Sequence, residues 1–373
     1  MYRLEVKNIT KNYGKLTAVK DLSFYCKEGE TVVLLGPTGA GKTTTLRCLS
    51  GLEDLTQGEI FLDGDNISLL PPNKREVAMF FENYALYPHF TVGENMAYPL
   101  HAPDRKDKFS KDEINKRVKE VAELLQIPEL LDRKADQLSG GQKQRTALGR
   151  TLVRKPKVFL LDEPIAHLDA VLRHRMRGEM KRIFQELKCT VVYVTHDYKE
   201  ALSIGDRILV IRKGELVQLG TPTDIWSRMS ETFVAKMVGD PPMNFLEGIV
   251  KKKGDHYQLE LPKLKTDLTF DSKKELLNGK SELEVLLGVR PTDVTILNKE
   301  TPNSLKGKLA VVEPISSNYE VTIALSDKST FKIKTKKNYE DFLDKDVWIA
   351  INSEKMYLFL PQDGKAIYHG GNF

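Results

Sequence analysis

Cysteine is scarce in this chain: three residues in 373, Cys26, Cys48 and Cys189, scattered and without a C-x-x-C pair. That usage argues against a disulfide framework and a thiolate metal site, and fits a reducing compartment. Long apolar runs are missing too, and nothing approaches the roughly 20 residues that cross a bilayer. The start, Met1-Tyr2-Arg3-Leu4-Glu5, places an acid before any apolar stretch, so no secretory leader is expected. A role at a membrane must therefore come through a partner. Neither sign of charge dominates: 57 basic against 52 acidic residues leave a formal charge of +5. That bias is too small to argue for nucleic acid, and the runs Lys251-Lys252-Lys253 and Lys334-Thr335-Lys336-Lys337 read as solvated surface. Low-complexity segments and long internal repeats are absent. What remains, 40% hydrophobic and 29% charged, is an ordinary globular composition. The length predicts more than one domain.

The most informative stretch is Gly36-Pro37-Thr38-Gly39-Ala40-Gly41-Lys42-Thr43-Thr44, which satisfies G-x-x-x-x-G-K-[ST]. The β-branched run Thr31–Leu35 before it reads as a buried strand, and the residues through Leu46 and Leu49 after it read as a helix. Glycines there let the backbone wrap an anion with its N–H groups inward, and the helix start adds its dipole. Lys42 can reach terminal phosphates and the Thr43 hydroxyl can bind Mg²⁺. A second site signal is Val158-Phe159-Leu160-Leu161-Asp162-Glu163, four apolar residues followed by two acids. In open α/β sheets ligands gather at the carboxyl ends of the strands. An acid there can hold Mg²⁺, and a second can activate water. Two buried carboxylates without a nearby cation would be costly. His196 follows the run Cys189–Thr195 directly and shares that rim, although a structural role for a lone histidine stays equally open.

Along the chain, Arg3–Thr10 alternates as a strand, Lys11–Gly14 is expected as a turn, and a second strand is expected over Leu22–Tyr25. Tyr13 can stack on a nucleobase or serve as a half-buried turn residue. Gly58–Gly64 and Val77–Phe81 read as strands. The loop Glu82–Phe90 is rich in aromatics, which suits a docking surface or a loop packed on its own domain. Ser110–Leu125 reads as an amphipathic helix with a Ser110/Glu113 capping box. Leu138-Ser139-Gly140-Gly141-Gln142 opens another helix, either as a plain N-cap or as a second anion site. A helix follows over Val171–Leu187, then a hairpin about Lys213-Gly214. Near Gly239-Asp240-Pro241-Pro242 the texture changes, and short strands at regular spacing predict small β-barrels with no catalytic constellation.

Taken together, these motifs and their order resemble the ATPase subunits of ABC transporters, and more narrowly those of bacterial sugar importers of the maltose and glycerol-3-phosphate type. The resemblance covers nearly the whole chain. It implies an α/β P-loop cassette over residues 1–236 with an inserted helical subdomain at about 90–155, followed by an all-β, OB-like regulatory domain over 237–373. It implies ATP and Mg²⁺ as ligands, with Tyr13 stacking adenine and Gly36, Pro37, Thr38, Gly39, Ala40, Gly41, Lys42, Thr43 and Thr44 forming the Walker A loop. Ser139, Gly140, Gly141 and Gln142 become the signature that closes over the nucleotide of a second subunit, which accounts for a second anion site. Glu163, His196 and Lys42 take the catalytic positions; Thr43, Glu82 and Asp162 face the metal; Asp169 is the D-loop aspartate at the dimer seam. The implied partners are two multi-span permease subunits and an extracytoplasmic solute-binding protein, at the cytoplasmic face of the membrane. Tyr84–His89 resembles the segment that faces the permeases.

Two positions depart from the family pattern. Glu82 stands where glutamine is usual, which is expected to keep Mg²⁺ binding while lowering turnover or making it more partner-dependent. Ala166-His167-Leu168-Asp169 replaces a loop that usually opens on serine, which raises pairing with a different ATPase as an alternative to a homodimer. Importers of sulfate, polyamines or iron are alternative settings. A soluble ABC protein of translation or repair usually carries two cassettes or long coiled-coil insertions, and this chain has neither. A regulatory module with little hydrolysis is disfavoured by Asp162, Glu163 and His196.

Overall fold

The computed structural model describes residues 2–102, 109–272 and 275–370. The chain divides into two compact units, residues 1–222 and 223–373.

The first unit begins with a long hairpin, β1 (Tyr2–Tyr13) and β2 (Leu16–Lys27), followed by β3 (Thr31–Leu35) and α1 (Lys42–Ser50). Lys11–Tyr13, expected as a turn, are strand, and β2 starts at Leu16 rather than Leu22. Gly14, with φ +57°, carries the reversal, and pairing of Lys11 with Val19 and Tyr13 with Leu16 extends the ladder past the local turn signal. Next come β4 (Gln57–Leu62), β5 (Asp65–Asn66) and β6 (Val77–Phe80). The helical segment contributes α2 (Val92–Ala97), α3 (Lys111–Leu124) and α4 (Gly140–Leu152). Ser110 and Ser139 cap α3 and α4 with the reciprocal bonds to Glu113 and Gln142 that their spacing predicts. Residues 103–108 of the expected helical subdomain lie outside the described residues. The unit finishes with β7 (Val158–Asp162), α5 (Ala170–Glu186), β8 (Val191–Thr195), α6 (Tyr198–Ile204), β9 (Arg207–Arg212) and β10 (Glu215–Gly220). Lys213 and Gly214, both at positive φ, form the expected two-residue hairpin turn.

Two sheets result. The antiparallel one runs β2-β1-β4-β5; the larger runs β10-β9-β3-β8-β7-β6. Neighbours from β9 through β6 are parallel. β3, β7 and β8 are buried at every residue, which is why they read as unbroken apolar runs rather than alternating ones. Leu46 and Leu49 of α1 join side chains of both sheets in one apolar cluster.

The second unit starts within α7 (Pro222–Ser227) and continues with α8 (Thr232–Met237), both short helices. The division at Pro222 precedes the change of texture at Gly239 because these helices are bonded to β-rich neighbours. Arg290 donates to the Trp226 and Val238 carbonyls, and Thr232 N donates to Gly364 O. Two antiparallel sheets of six and five strands follow, covering Asn244–His369. Their inward residues, from Leu246 to Leu358, form one shared core. Among the described residues no helix is long and apolar enough to cross a membrane.

Candidate active site

The site lies at the carboxyl ends of four adjacent strands, β3, β8, β7 and β6. Register makes those ends level: Leu35 pairs with Thr195, Asp162 with Val194, and Phe80 with Leu161. Each strand releases one functional segment, so residues far apart in sequence meet because a parallel sheet aligns their strand ends.

Between β3 and α1 the loop Gly36–Gly41 turns tightly. Gly39 and Gly41 adopt φ of +78° and +96°, and a Cβ on Gly41 would lie 2.3 Å from the Ala18 carbonyl. The loop is braced from outside, since Gly214 N donates to Ala40 O at 2.9 Å. Lys42 is buried to 5% exposure; its Nζ donates to Pro37 O at 3.1 Å and lies 3.6 Å from Glu163 Oε1. Thr43 Oγ1 donates to Asp162 Oδ1 at 3.0 Å. Glu163 sits just past β7 with a left-handed backbone, φ +43°, and its amide donates to Val194 O. Its Oε2 accepts from His196 Nδ1 at 2.7 Å. A carboxylate cannot donate, so Nδ1 carries the proton and Nε2 is left for another partner.

Electrostatics follow from burial. Asp162 is 4% exposed, and burial pushes its carboxyl from 3.8 up to about 6, with Glu163 and Glu82 adding to the rise while the Thr43 bond and Lys42 oppose it. Burial also lowers the Lys42 ammonium, against the carboxylates that favour its charge. The site is a buried cation facing two acids, with a hydroxyl between.

The other expected residues fall in three places. Tyr13, 42% exposed, stands at the tip of β1 with Lys11 Nζ 4.9 Å from its ring centre; Lys11 in turn pairs with Glu53 at 3.1 Å. Glu82 leaves the end of β6 half-exposed, and its carboxylate is 3.4 Å from His167 Nε2. Ser139–Gln142 make no hydrogen bond or ion pair with the phosphate loop among the described residues. Ser139 Oγ accepts from Gln142 N, and Ser139 and Gly140 are exposed. Asp169 caps α5 by accepting from Val171 N and Leu172 N.

A sequence model described as ABC transporter matches residues 19–166, and one described as MalK OB fold domain matches residues 239–294. The trehalose/maltose import ATP-binding protein MalK of Thermococcus litoralis is 41% identical over 99% of this chain and 100% of its own length. The sn-glycerol-3-phosphate import ATP-binding protein UgpC of Bartonella quintana is 37% identical over 97% and 98%. The chain belongs to the ABC transporter ATPase family. Among solved structures, the dimeric MJ0796 cassette, described as a bacterial ABC transporter cassette, superposes with a TM-score of 0.53 at 32% identity, covering 59% of this ABC ATPase and 98% of that chain.

Sequence reasoning missed the side chains that hold this ABC ATPase's loops in place. Arg75, 1% exposed, donates to the carbonyls of Cys48, Leu49, Ser68 and Leu70 and so closes the carboxyl end of α1. Asn95, fully buried, accepts from Tyr87 N and donates to the carbonyls of Tyr87, Phe90 and Thr91. Arg150 donates to the carbonyls of Tyr84 and Ala85. Asn95 and Arg150 thus pin the aromatic loop that follows Glu82. Each reads in sequence as an ordinary polar residue, and no local signal marks it.

Asp162 carries a testable cost. Its folded carboxyl is raised above its unfolded value, so between about pH 4 and 6 the folded state binds more protons and stability falls as pH rises through that window. About two pK units correspond to roughly 3 kcal/mol. Asp162→Asn, whose amide oxygen can still accept from Thr43, is expected to stabilise the nucleotide-free protein at pH 7 by about 1–3 kcal/mol. That gain should vanish below pH 4. Calorimetry across pH without nucleotide checks this, and a gain that persists unchanged at pH 3.5 would refute the electrostatic origin.

Proposed function

We propose that this chain is the energising subunit of a membrane importer for carbohydrate, working as one of two ATPase subunits that close around ATP. The observation that carries the reading is the meeting of Lys42, Thr43, Asp162, Glu163 and His196 at level strand ends while, among the described residues, Ser139–Gln142 make no bond to the phosphate loop and Ser139 and Gly140 are exposed. A site with phosphate-binding and water-activating groups but no cap of its own suits completion by the signature of another subunit. Tyr13 stacks adenine, the Gly36–Thr44 backbone cradles the phosphates, and Lys42 meets the terminal ones. Glu163 orients and deprotonates the attacking water, and His196, fixed by its bond to Glu163, offers Nε2 to the γ-phosphate. Asp169 shapes the loop at the seam between subunits.

The donors also suit Mg²⁺. Thr43, Asp162 and Glu82 would hold it, directly or through water. The raised carboxyl of Asp162 marks a place where an added cation is favourable. Among the described residues no group of three or more His, Cys, Asp or Glu is poised to hold a metal. When bound, Mg²⁺ neutralises charge developing on the phosphate oxygens.

Partners are two permease subunits, with an extracytoplasmic binding protein supplying the solute, and the chain is peripheral at the cytoplasmic face. A cleft of about 590 Å³ in the helical segment, lined by Phe90, Tyr98, Ile114, Val118 and Leu131 among others, adjoins the pinned aromatic loop and supports docking there. Carbohydrate is favoured by the substrates named for the relatives, trehalose/maltose and sn-glycerol-3-phosphate. The second unit is assigned a regulatory role. Affinity capture of the tagged chain from its native membranes is expected to bring down two multi-span permeases. Recovery of the chain in the soluble fraction without them would overturn the transport reading.

A further inference from the structure

Arg173 lies near the start of α5, just past its Asp169 cap, where the helix dipole disfavours a cation. Its placement is accounted for by three contacts beyond its own turn. Nη2 donates to the carbonyls of Ala166 and Leu168, both at 3.0 Å, and Nη1 lies 4.0 Å from Asp197 Oδ2. The first two belong to the loop between Glu163 and Asp169. The third residue directly follows His196. Glu163 and His196 meet at 2.7 Å, yet they hang from the ends of two different strands, and beyond the Glu163 N–Val194 O bond no further ladder pairing joins the two segments.

The segment around His196 is fixed from the other side. Asp197 N donates to Thr195 Oγ1 at 3.0 Å, and Thr195 Oγ1 donates to Glu200 Oε2 at 2.8 Å. Glu200 is buried and also accepts from Tyr193 Oη at 3.0 Å. The loop at Ala166–Leu168 likewise has a second hold, through His167 and Glu82. One guanidinium therefore bridges two anchored segments downstream of the last ladder bond, each of which carries one half of the Glu163–His196 pair. A planar fork with several donors is the side chain suited to bridge two carbonyls and a carboxylate.

We propose that Arg173 is a positioning residue for hydrolysis, holding the loop after Glu163 in register with the His196–Asp197 segment. The inference rests on the functional reading above, in which Glu163 and His196 serve the hydrolytic step. It touches neither the phosphate loop nor Tyr13, so it separates turnover from nucleotide affinity.

The test is steady-state phosphate release by the full chain at saturating Mg²⁺ over a range of ATP concentrations, for Arg173→Met, His196→Ala and the double variant. Small displacements of a reacting group cost up to about 100-fold. Arg173→Met is expected to slow release by about 10- to 100-fold, with the KM for ATP within about twofold of the parent. The melting temperature should stay close to the parent's, because Asp169 still caps α5. In the His196→Ala background, Arg173→Met should cost little more, since it acts through that residue. Arg173→Lys should recover part of the rate. Should Arg173→Met fail to fold, Asp197→Asn, which keeps the cap on α6, takes its place in the same cycle. A parent-like rate in the single variant, or a full multiplicative loss in the double, overturns the inference. A parent-like rate in His196→Ala overturns the functional reading itself, and this inference with it.

Discussion

Glu163→Gln is expected to reduce steady-state phosphate release by about 100- to 10,000-fold, the range spanned by loss of a positioned general base. The substitution preserves volume and removes charge from a group with two close polar neighbours, Lys42 Nζ at 3.6 Å and His196 Nδ1 at 2.7 Å. Nothing in the phosphate loop changes, so ATP still binds, and the state with ATP in place and hydrolysis blocked should accumulate. Size-exclusion chromatography with light scattering is expected to show a nucleotide-dependent dimer in the variant where the parent, turning over, shows mostly monomer. Parent-like turnover in Glu163→Gln would assign water activation to another group. Loss of ATP binding would instead mean that the carboxylate supports the Lys42 environment more than the chemistry.

The second large effect is on stability. Arg75→Met is expected to destabilise the first unit by about 3–5 kcal/mol, the scale of removing one member of a buried, fully engaged polar network. Four carbonyls lose a donor, two of them from the last turn of α1. Gly51, which ends that helix at φ +77°, lets the guanidinium lie against the backbone, since a Cβ there would be 2.5 Å from Arg75 Nε. For a unit of this size the loss translates to a fall in melting temperature of roughly 10 °C. Arg75→Lys should recover only a fraction, because one ammonium cannot serve four carbonyls held around a fork. Calorimetry or chemical unfolding of the full chain decides it, and a variant that melts with the parent would show that water replaces the guanidinium at little cost.

These two residues also mark how far the sequence could be read. Glu163 was legible because it sits in an apolar run ending in acids, a pattern with few structural explanations. The phosphate loop was legible for a similar reason: its glycines, lysine and threonine are required together. Strands β3, β7 and β8 announced themselves by continuous burial. Arg75 lies within Lys74-Arg75-Glu76, which reads as a charged surface turn; its burial is decided by the end of a helix some 25 residues earlier in the chain. Arg173 likewise looks like a polar position on an amphipathic helix. Lys11–Tyr13 was misjudged because Asn12 and Gly14 are genuine turn formers, while the pairing that makes the segment a strand comes from across the hairpin. Side chains that serve distant backbone carry no local pattern, and so Arg75, Asn95 and Arg150 stayed hidden while the lysine, threonine and acids that cluster at the strand ends did not.

The three cysteines, scarce in sequence, acquire a use from where they fall. Cys26, Cys48 and Cys189 are all buried free thiols, and burial raises each above its ordinary value, Cys48 to about 11 and Cys189 to about 12. Their thiolates are therefore both rare and shielded, and a thiol-specific reagent meets them only when the structure opens. All three belong to the first unit, and the second has none. The rate at which the unmodified chain takes up such a reagent is thus a built-in clock for opening of the nucleotide unit alone, blind to its β-rich companion. A cysteine introduced at an exposed position such as Val171 would be the one fast-reacting handle on the native protein.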